Sequence, residues 1–137
     1  MLKTLCKKYT LLSDADIALL HNIAGTMQYT AALTNADVFL DCICKDGDRC
    51  IVVAEAKPPN GSLYERSVLG EWAELEKEPA VFTVFKTAVA ARDIRAVTQE
   101  NKSVRQVVVP IHNPQGDVIG VLIQEKDVSD SISQARK

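Results

Sequence analysis

Two β-rich runs joined by a short polar segment constrain the fold of this chain more than any other feature of its sequence. Val38 to Cys44 and Cys50 to Ala56 are dense in valine, isoleucine and other apolar residues, and Asp46-Gly47 lies between them. Glycine adopts the positive φ that tight hairpin turns require, so an Asp-Gly pair in this position is a strong hairpin signal. The sequence therefore predicts an antiparallel β-hairpin.

Apolar stripes at helical spacing precede the hairpin. The two stripes are Leu2, Leu5, Tyr9, Leu12 and then Ile17, Leu20, Ala24, Met27, Ala31. Residues three and four apart share one helix face, so this spacing is typical of an amphipathic helix or a short coiled-coil seam. Ser13 separates the stripes, and its hydroxyl can cap a helix whose positive end is favoured by Asp14 and Asp16. We expect one helix before Ser13 and a second over about 14–34.

The segments after the hairpin alternate between loops, a helix and strands. The stretch 63–77 is ambiguous, with a short helix expected around Trp72, whereas Pro79 is well placed to open a longer helix. We expect the helix that begins at Pro79 to extend to about residue 91. The other predicted elements are a loop over 57–62, strands over 94–98, 104–112 and 118–124, a turn over 113–117, and the first turns of a helix over 130–137.

This order of elements predicts an α+β fold with a single antiparallel sheet flanked by helices, of the GAF and PAS type, with helical N- and C-terminal extensions. At 137 residues the chain fits one domain. We divide it into N-terminal helices over 1–35, a GAF/PAS-like core over 36–126 and the start of a truncated output helix over 127–137.

Charge and hydropathy exclude several classes of partner. The chain carries 16 basic and 18 acidic residues, a net charge of -2, whereas nucleic-acid binding requires a dense basic face. No polybasic patch is present, and no apolar run reaches the roughly 18 residues that span a bilayer. We therefore expect a cytoplasmic protein that binds neither nucleic acid nor membrane, and nothing in the sequence indicates a cofactor.

Several short segments occur in an order and spacing that together are fairly specific. They are ADVFLD at 36–41, VVAEAKP at 52–58, SLY at 62–64, SVLG at 67–70, EPAV at 78–81, VRQVVVPI at 104–111 and GVLI at 120–123. In these segments the chain resembles the N-terminal domain of a family of cytoplasmic sensor histidine kinases involved in two-component signal transduction in bacteria. One departure is Thr87-Ala88, which stands where a glycine would be expected near the end of the middle helix.

The resemblance implies a GAF-like sensory input domain that precedes a second sensor or the kinase core of the parent protein. The triplet 127–129 (Asp-Val-Ser) resembles the motif with which PAS-type sensors begin their output helix. His21 and His112 are the only histidines, no glycine-rich nucleotide-binding pattern is present, and no set of nucleophile, base and orienting residue can be assembled. We therefore expect this chain to have no catalytic activity of its own.

Charged residues inside otherwise apolar strands are candidates for ligand binding. They are Asp41, Glu55, Lys57 and Arg105. Such residues either lie on a solvated face or edge of the sheet, or reach into a ligand cavity where a few fixed charges set specificity. Tyr64 and Trp72 flank the same region, and each either packs in the core or covers that cavity.

Four cysteines offer an alternative chemistry. Three are close in sequence, and Cys42 and Cys44 share one face of a strand. If Cys44 pairs with Cys50 across the hairpin, all three thiols share that face and form a candidate metal or redox site. If Cys50 instead opposes Ile43, it points the other way. Reduced thiols packed as small apolar groups are the simpler interpretation.

Two functions remain open at this level, besides the thiol-based sensor. In the first, an unknown small-molecule or protein signal binds between the sheet and the loops over 58–77, and the terminal helices pass the change to the kinase core. In the second, the domain is a dimerisation or protein-interaction module without a ligand. We expect a homodimer in which the stripe from Leu2 to Leu12 projects from the body and pairs with its copy.

Overall fold

The structure, a computed structural model, describes residues 1–98 and 101–127. Four helices and six strands form its regular elements. In chain order they are α1 (Leu2–Tyr9), α2 (Asp14–Ala24), α3 (Met27–Thr34), β1 (Asp37–Ile43), β2 (Arg49–Ala56), β3 (Trp72–Glu74), a 3-10 turn (Leu75–Lys77), α4 (Pro79–Thr87), β4 (Ala91–Val97), β5 (Ser103–His112) and β6 (Val118–Asp127).

The six strands form one sheet in the order β3-β2-β1-β6-β5-β4, and every neighbouring pair is antiparallel. The predicted α+β fold with a single antiparallel sheet is therefore confirmed. Both predicted hairpins are present, because β1 pairs with β2 and β5 pairs with β6 across the turn at Asn113–Asp117. The Asn113 side chain stabilises that turn by accepting hydrogen bonds from the amides of Gln115 (3.1 Å) and Asp117 (2.9 Å).

The sheet has a core on each face, because successive side chains of a strand point to opposite sides. Helices α1 to α3 cover one face, where Leu20 and Leu40 are fully buried. Gly120 permits this contact, since a Cβ at residue 120 would lie 3.4 Å from both leucine side chains and 3.2 Å from the Asp41 carbonyl oxygen. The other face packs against α4 and the segment between β2 and β3, with Val84 and Val108 fully buried.

Local sequence explains where the N-terminal helices begin and end. Ser13 caps α2 as predicted, since its hydroxyl accepts a hydrogen bond from the Asp16 amide (3.1 Å). The expected single helix over 14–34 is wrong, because the structure has two helices. Gly25 has low helix propensity, and the Thr26 hydroxyl binds the Ile23 carbonyl (2.8 Å), so that α2 ends and α3 begins there.

The predicted projection of the N-terminal stripe is also wrong. Leu2 is buried, and Leu5 and Leu12 pack against the core beneath α1 to α3, whereas Tyr9 is 37% exposed. A leucine buried against its own sheet stabilises the fold by about 1.5–3 kcal/mol, which removes any need for a second chain to cover it. The homodimer seam that we expected at these residues is therefore part of the intramolecular core.

Three further expectations concern single segments. The short helix expected around Trp72 is instead strand β3, which pairs with β2 through Trp72 and Ile51. Helix α4 begins at Pro79 as expected and ends before Ala88, whose φ of 58° is left-handed, a conformation that glycine adopts more readily. The predicted output helix over 130–137, together with Val128 and Ser129 of the triplet, lies outside the described residues.

Candidate functional site

A small cavity of about 50 Å³ lies on the α4 face of the sheet, beneath the segment that joins β2 to β3. All the strands except β3 contribute to its walls, together with that segment and the residue preceding α4. Its lining residues are Phe39, Asp41, Val52, Tyr64, Val68, Glu78, Val97, Thr98, Gln106, Ile123 and Glu125. Polar and apolar residues therefore share the wall of a cavity that is much smaller than the roughly 300–1,000 Å³ of a site for a drug-sized ligand.

Three carboxyl groups line this cavity, from β1, β6 and the residue preceding α4. Asp41 is 7% exposed, and its Oδ1 atom is buried without any hydrogen-bond partner. Burial, reinforced by the nearby carboxyl groups of Glu78 and Glu125, raises the pKa of Asp41 well above its usual range. Burial and the charge of Glu125 also raise the pKa of Glu78, to about 7.

A buried hydrogen-bond network joins the loop above the cavity to the sheet below it. The Tyr64 hydroxyl donates to Glu125 Oε1, and Gln106 Nε2 donates to Glu125 Oε2 (2.7 Å). Burial raises the pKa of Glu125, while the two donors oppose that rise. Burial and the adjacent Glu125 raise the pKa of Tyr64, so its hydroxyl remains a donor. The Tyr64 ring packs edge-to-face on Phe39, with centroids 5.0 Å apart.

Two strand carboxylates hold the loop that covers the cavity. Asp37 accepts hydrogen bonds from the Ser62 hydroxyl (2.5 Å) and the Leu63 amide (2.9 Å). Glu55 likewise accepts from a serine hydroxyl and the next amide, those of residues 67 and 68, the latter at 3.1 Å. Lys102 Nζ donates to the Leu63 carbonyl (2.6 Å). The loop is therefore fixed at both ends of the segment that carries Tyr64.

The structure brings together only two of the six predicted ligand residues, Asp41 and Tyr64. Glu55 holds the loop from outside the cavity, and the Lys57 carbonyl accepts a hydrogen bond from the Gln28 side chain (2.9 Å). The other two lie away from the cavity, on the edge strand β3 and on β5. Trp72 is 53% exposed on β3 beneath the Arg49 guanidinium, and Arg105 faces Asp93 at 3.7 Å.

Sequence reasoning missed four polar residues of the cavity: Glu78, Thr98, Gln106 and Glu125. Thr98 and Gln106 lie in predicted strands, Glu125 follows the strand predicted over 118–124, and Glu78 directly precedes the predicted start of a helix. Gln106 and Glu125 alternate with apolar neighbours along β5 and β6, and both are at most 5% exposed. A polar residue at a core position of a strand was therefore the available signal, and the β5–β6 register places these two opposite each other.

The hairpin register decides the grouping of the thiols. Cys50 opposes Ile43, so it points to the face opposite Cys42 and Cys44, and these three do not form one cluster. Cys42 instead contacts Cys6 of α1 through a thiol–thiol hydrogen bond that raises the pKa of Cys42 and lowers that of Cys6. All four cysteines are free and buried. Within residues 1–98 and 101–127, no group of three or more potential ligands could hold a metal ion.

The two histidines and one surface groove lie outside the cavity. His21 is exposed on α2, and His112 Nδ1 lies 3.2 Å from the Gly116 carbonyl oxygen. An open groove of about 550 Å³ beside the β1–β2 turn is lined partly by Arg49, Trp72 and Phe82. None of the helices in the described part of the chain is long and apolar enough to cross a membrane.

The strand order 3-2-1-6-5-4, with α1 to α3 on one face of the sheet and α4 on the other, is a fold of the GAF/PAS-like class. The sequence over residues 2–137 matches the family model described as the GAF domain of histidine kinase PdtaS. The chain belongs to this family of histidine-kinase GAF domains, and it is a sensory input domain. No curated protein shows significant sequence similarity to it.

Solved structures share its fold. The sensor region of a sensor histidine kinase superposes with a TM-score of 0.73 at 22% identity, covering 93% of this chain and 42% of that one. An IcIR transcriptional regulator from Alicyclobacillus acidocaldarius has a TM-score of 0.52 at 18% identity, over 77% of this chain and 55% of that one. A PAS domain from Colwellia psychrerythraea has a TM-score of 0.52 at 14% identity, with 82% and 98% covered.

Proposed function

We propose that this chain is the signal-input domain of a cytoplasmic sensor histidine kinase, that it binds a small ligand in the cavity beneath Tyr64, and that it has no catalytic activity itself. One observation carries the proposal. Asp41 lines the cavity, and its Oδ1 atom is buried and has no hydrogen-bond partner. A buried acceptor left unsatisfied costs about 1–3 kcal/mol, and a ligand that donates to it recovers this free energy.

The geometry supports a route from the cavity to the kinase core. Glu125 lines the cavity and lies on β6, two residues before Asp127. A ligand that changes the hydrogen bonds of Glu125 therefore acts directly on the strand that precedes the C-terminal segment. Such a ligand shifts the equilibrium between two arrangements of that strand by its difference in affinity for them.

Native mass spectrometry of the purified chain, incubated with a small-molecule extract, tests ligand binding. We expect a stoichiometric adduct that is lost under denaturing conditions and is absent from the Asp41→Leu variant, whose side chain fills the cavity and lacks the acceptor. The matched control is Asp48→Leu, since Asp48 is exposed and lies outside the cavity. An adduct that persists equally in Asp41→Leu would place the ligand elsewhere. Incubation with labelled ATP should leave both His21 and His112 unphosphorylated.

The alternative of a dimerisation module without a ligand has less support. Its proposed seam is buried in the intramolecular core, and the space between sheet and loop contains a polar cavity instead of a filled core. We nevertheless propose that the parent kinase acts as a homodimer, through a surface other than the stripe of α1. Sedimentation equilibrium of the parent protein tests this, and a monomer at high concentration would contradict it.

A further inference from the structure

The charge of the cavity indicates the class of its ligand. Asp41, Glu78 and Glu125 all line it, and none of its described lining residues is lysine, arginine or histidine. The Lys102 ammonium lies at the loop above, where it is bound to the Leu63 carbonyl oxygen. None of the described lining residues supplies a basic side chain that could balance a negative charge, and burial raises the pKa of all three carboxyl groups. A buried charge is stable when it is paired, so a cationic ligand would favour the ionised form of these groups.

Asp41 differs from Glu125 in the hydrogen bonds that its carboxyl oxygens accept. Glu125 already accepts hydrogen bonds from Tyr64 and Gln106, one to each oxygen. Asp41 retains a fully buried oxygen, Oδ1, that receives none, although the Cys50 thiol lies within hydrogen-bonding reach of the same carboxyl group. A ligand in the cavity that Asp41 lines could donate a hydrogen bond to this oxygen, and a positively charged donor would also balance the negative charge of the carboxyl groups.

An organic cation fits this arrangement better than a metal ion. Mg²⁺ and Ca²⁺ require several oxygen ligands converging on one point, but no three acidic, thiol or imidazole groups in the described residues converge in that way. The carboxyl groups come instead from β1, β6 and the start of α4, around the cavity wall. A guanidinium group has five N–H donors in a planar fork and can reach acceptors in different directions.

The size of the cavity agrees with a head group of this kind. A volume of about 50 Å³ corresponds to roughly two water molecules at their volume in the liquid, so the cavity suits only a small head group. Phe39 and the Tyr64 ring form part of the wall, and aromatic surfaces attract such cations. Val97, which is 60% exposed, also lines the cavity, so a tail on the head group can extend to solvent there.

We propose that the cavity binds a small organic cation with a guanidinium head group, and that Asp41 Oδ1 accepts a hydrogen bond from it. This inference rests on the proposed ligand-binding function. Binding favours the ionised carboxylates, so it releases protons and is tighter at higher pH. The titratable groups that line the cavity are Asp41 from β1, Tyr64 from the loop, Glu78 before α4 and Glu125 from β6. The Cys50 thiol of β2 lies within hydrogen-bonding reach of Asp41. Among the described lining residues, β5 contributes Gln106 and β4 no titratable group.

Isothermal titration calorimetry of the whole chain tests the proposal with methylguanidinium, methylammonium and the neutral isostere methylurea. At pH 8 we expect methylguanidinium to bind at least about tenfold more tightly than methylurea, and to bind more weakly at pH 6. Asp41→Asn should reduce its affinity at least about tenfold. Asp93→Asn is the matched control with unchanged affinity, because Asp93 is exposed and asparagine tolerates its φ of 55°.

A second variant keeps the test decisive if Asp41→Asn does not fold. Glu78→Gln removes a partly exposed carboxyl group and should weaken methylguanidinium binding several-fold and reduce its pH dependence. Absence of methylguanidinium binding up to millimolar concentration, or equal binding to Asp41→Asn, overturns the cation assignment. Tighter binding of methylammonium overturns the choice of guanidinium. If methylurea or acetate binds in an Asp41-dependent manner while the cations do not, the ligand-binding function stands and only the cation inference fails.

Discussion

Replacing Tyr64 by phenylalanine tests whether the hydrogen bond to Glu125 holds the cavity loop on the sheet. Tyr64 and Glu125 are 9% and 4% exposed, so water cannot replace the lost hydroxyl easily. The packing on Phe39 is retained because the aromatic ring is unchanged. A hydrogen bond to a charged group contributes about 1.5–3 kcal/mol, so we expect the free energy of unfolding to fall by about 2 kcal/mol and Tm to fall by about 6–10 °C.

Urea denaturation at neutral pH measures this change, with Tyr29→Phe as the matched control. Tyr29 is 71% exposed, so its variant should differ from wild type by less than about 0.5 kcal/mol. The Tyr64 hydrogen bond lowers the pKa of Glu125. Its full contribution is therefore present while Glu125 is ionised, and part of it is lost as pH falls through the pKa of Glu125. Equal stability of the two variants, or a Tyr64→Phe deficit independent of pH, would refute this reasoning.

The remaining predictions concern stability and thiol reactivity. The folded state raises the pKa of Glu78 from 4.5 to about 7, so the free energy of unfolding should decrease as pH rises through that interval. In urea titrations, Glu78→Gln should remove about 1–2 kcal/mol of this decrease, a value discounted for the partial exposure of Glu78. An unchanged dependence of the free energy of unfolding on pH would contradict the assignment. Leu5→Asp should destabilise the domain by at least about 2 kcal/mol, whereas Leu11→Asp, at an 81% exposed position, should cost less than about 0.5 kcal/mol. If Leu5→Asp instead converted a dimer into an equally stable monomer, the stripe of α1 would be an intermolecular interface. Ala88→Gly should stabilise the fold by up to about 1 kcal/mol because residue 88 has a left-handed conformation, and thermal unfolding that shows a loss of stability would contradict this. The four thiols, all buried, should react with an aromatic disulfide reagent only at the rate of unfolding, and fast labelling of the native protein would show that one is accessible.

Local sequence patterns determined most of the secondary structure. Asp46-Gly47 between two apolar runs predicted the first hairpin, and the turn at 113–117 between two valine-rich runs predicted the second. Ser13 and Pro79 marked the starts of α2 and α4. These features act within a few residues of the chain, so the sequence is sufficient to recognise them.

Only the tertiary structure decided what covers each apolar face and which polar groups meet. The stripe of α1 shows that one face is apolar, but not whether its own sheet or a second chain buries it. The hairpin register, which a shift of one residue would reverse, sends Cys50 to the face opposite Cys42. The cavity joins Asp41, Glu78 and Glu125, which are tens of residues apart in sequence. Such contacts depend on strand order and helix packing, because no local spacing encodes the distance between groups so far apart along the chain.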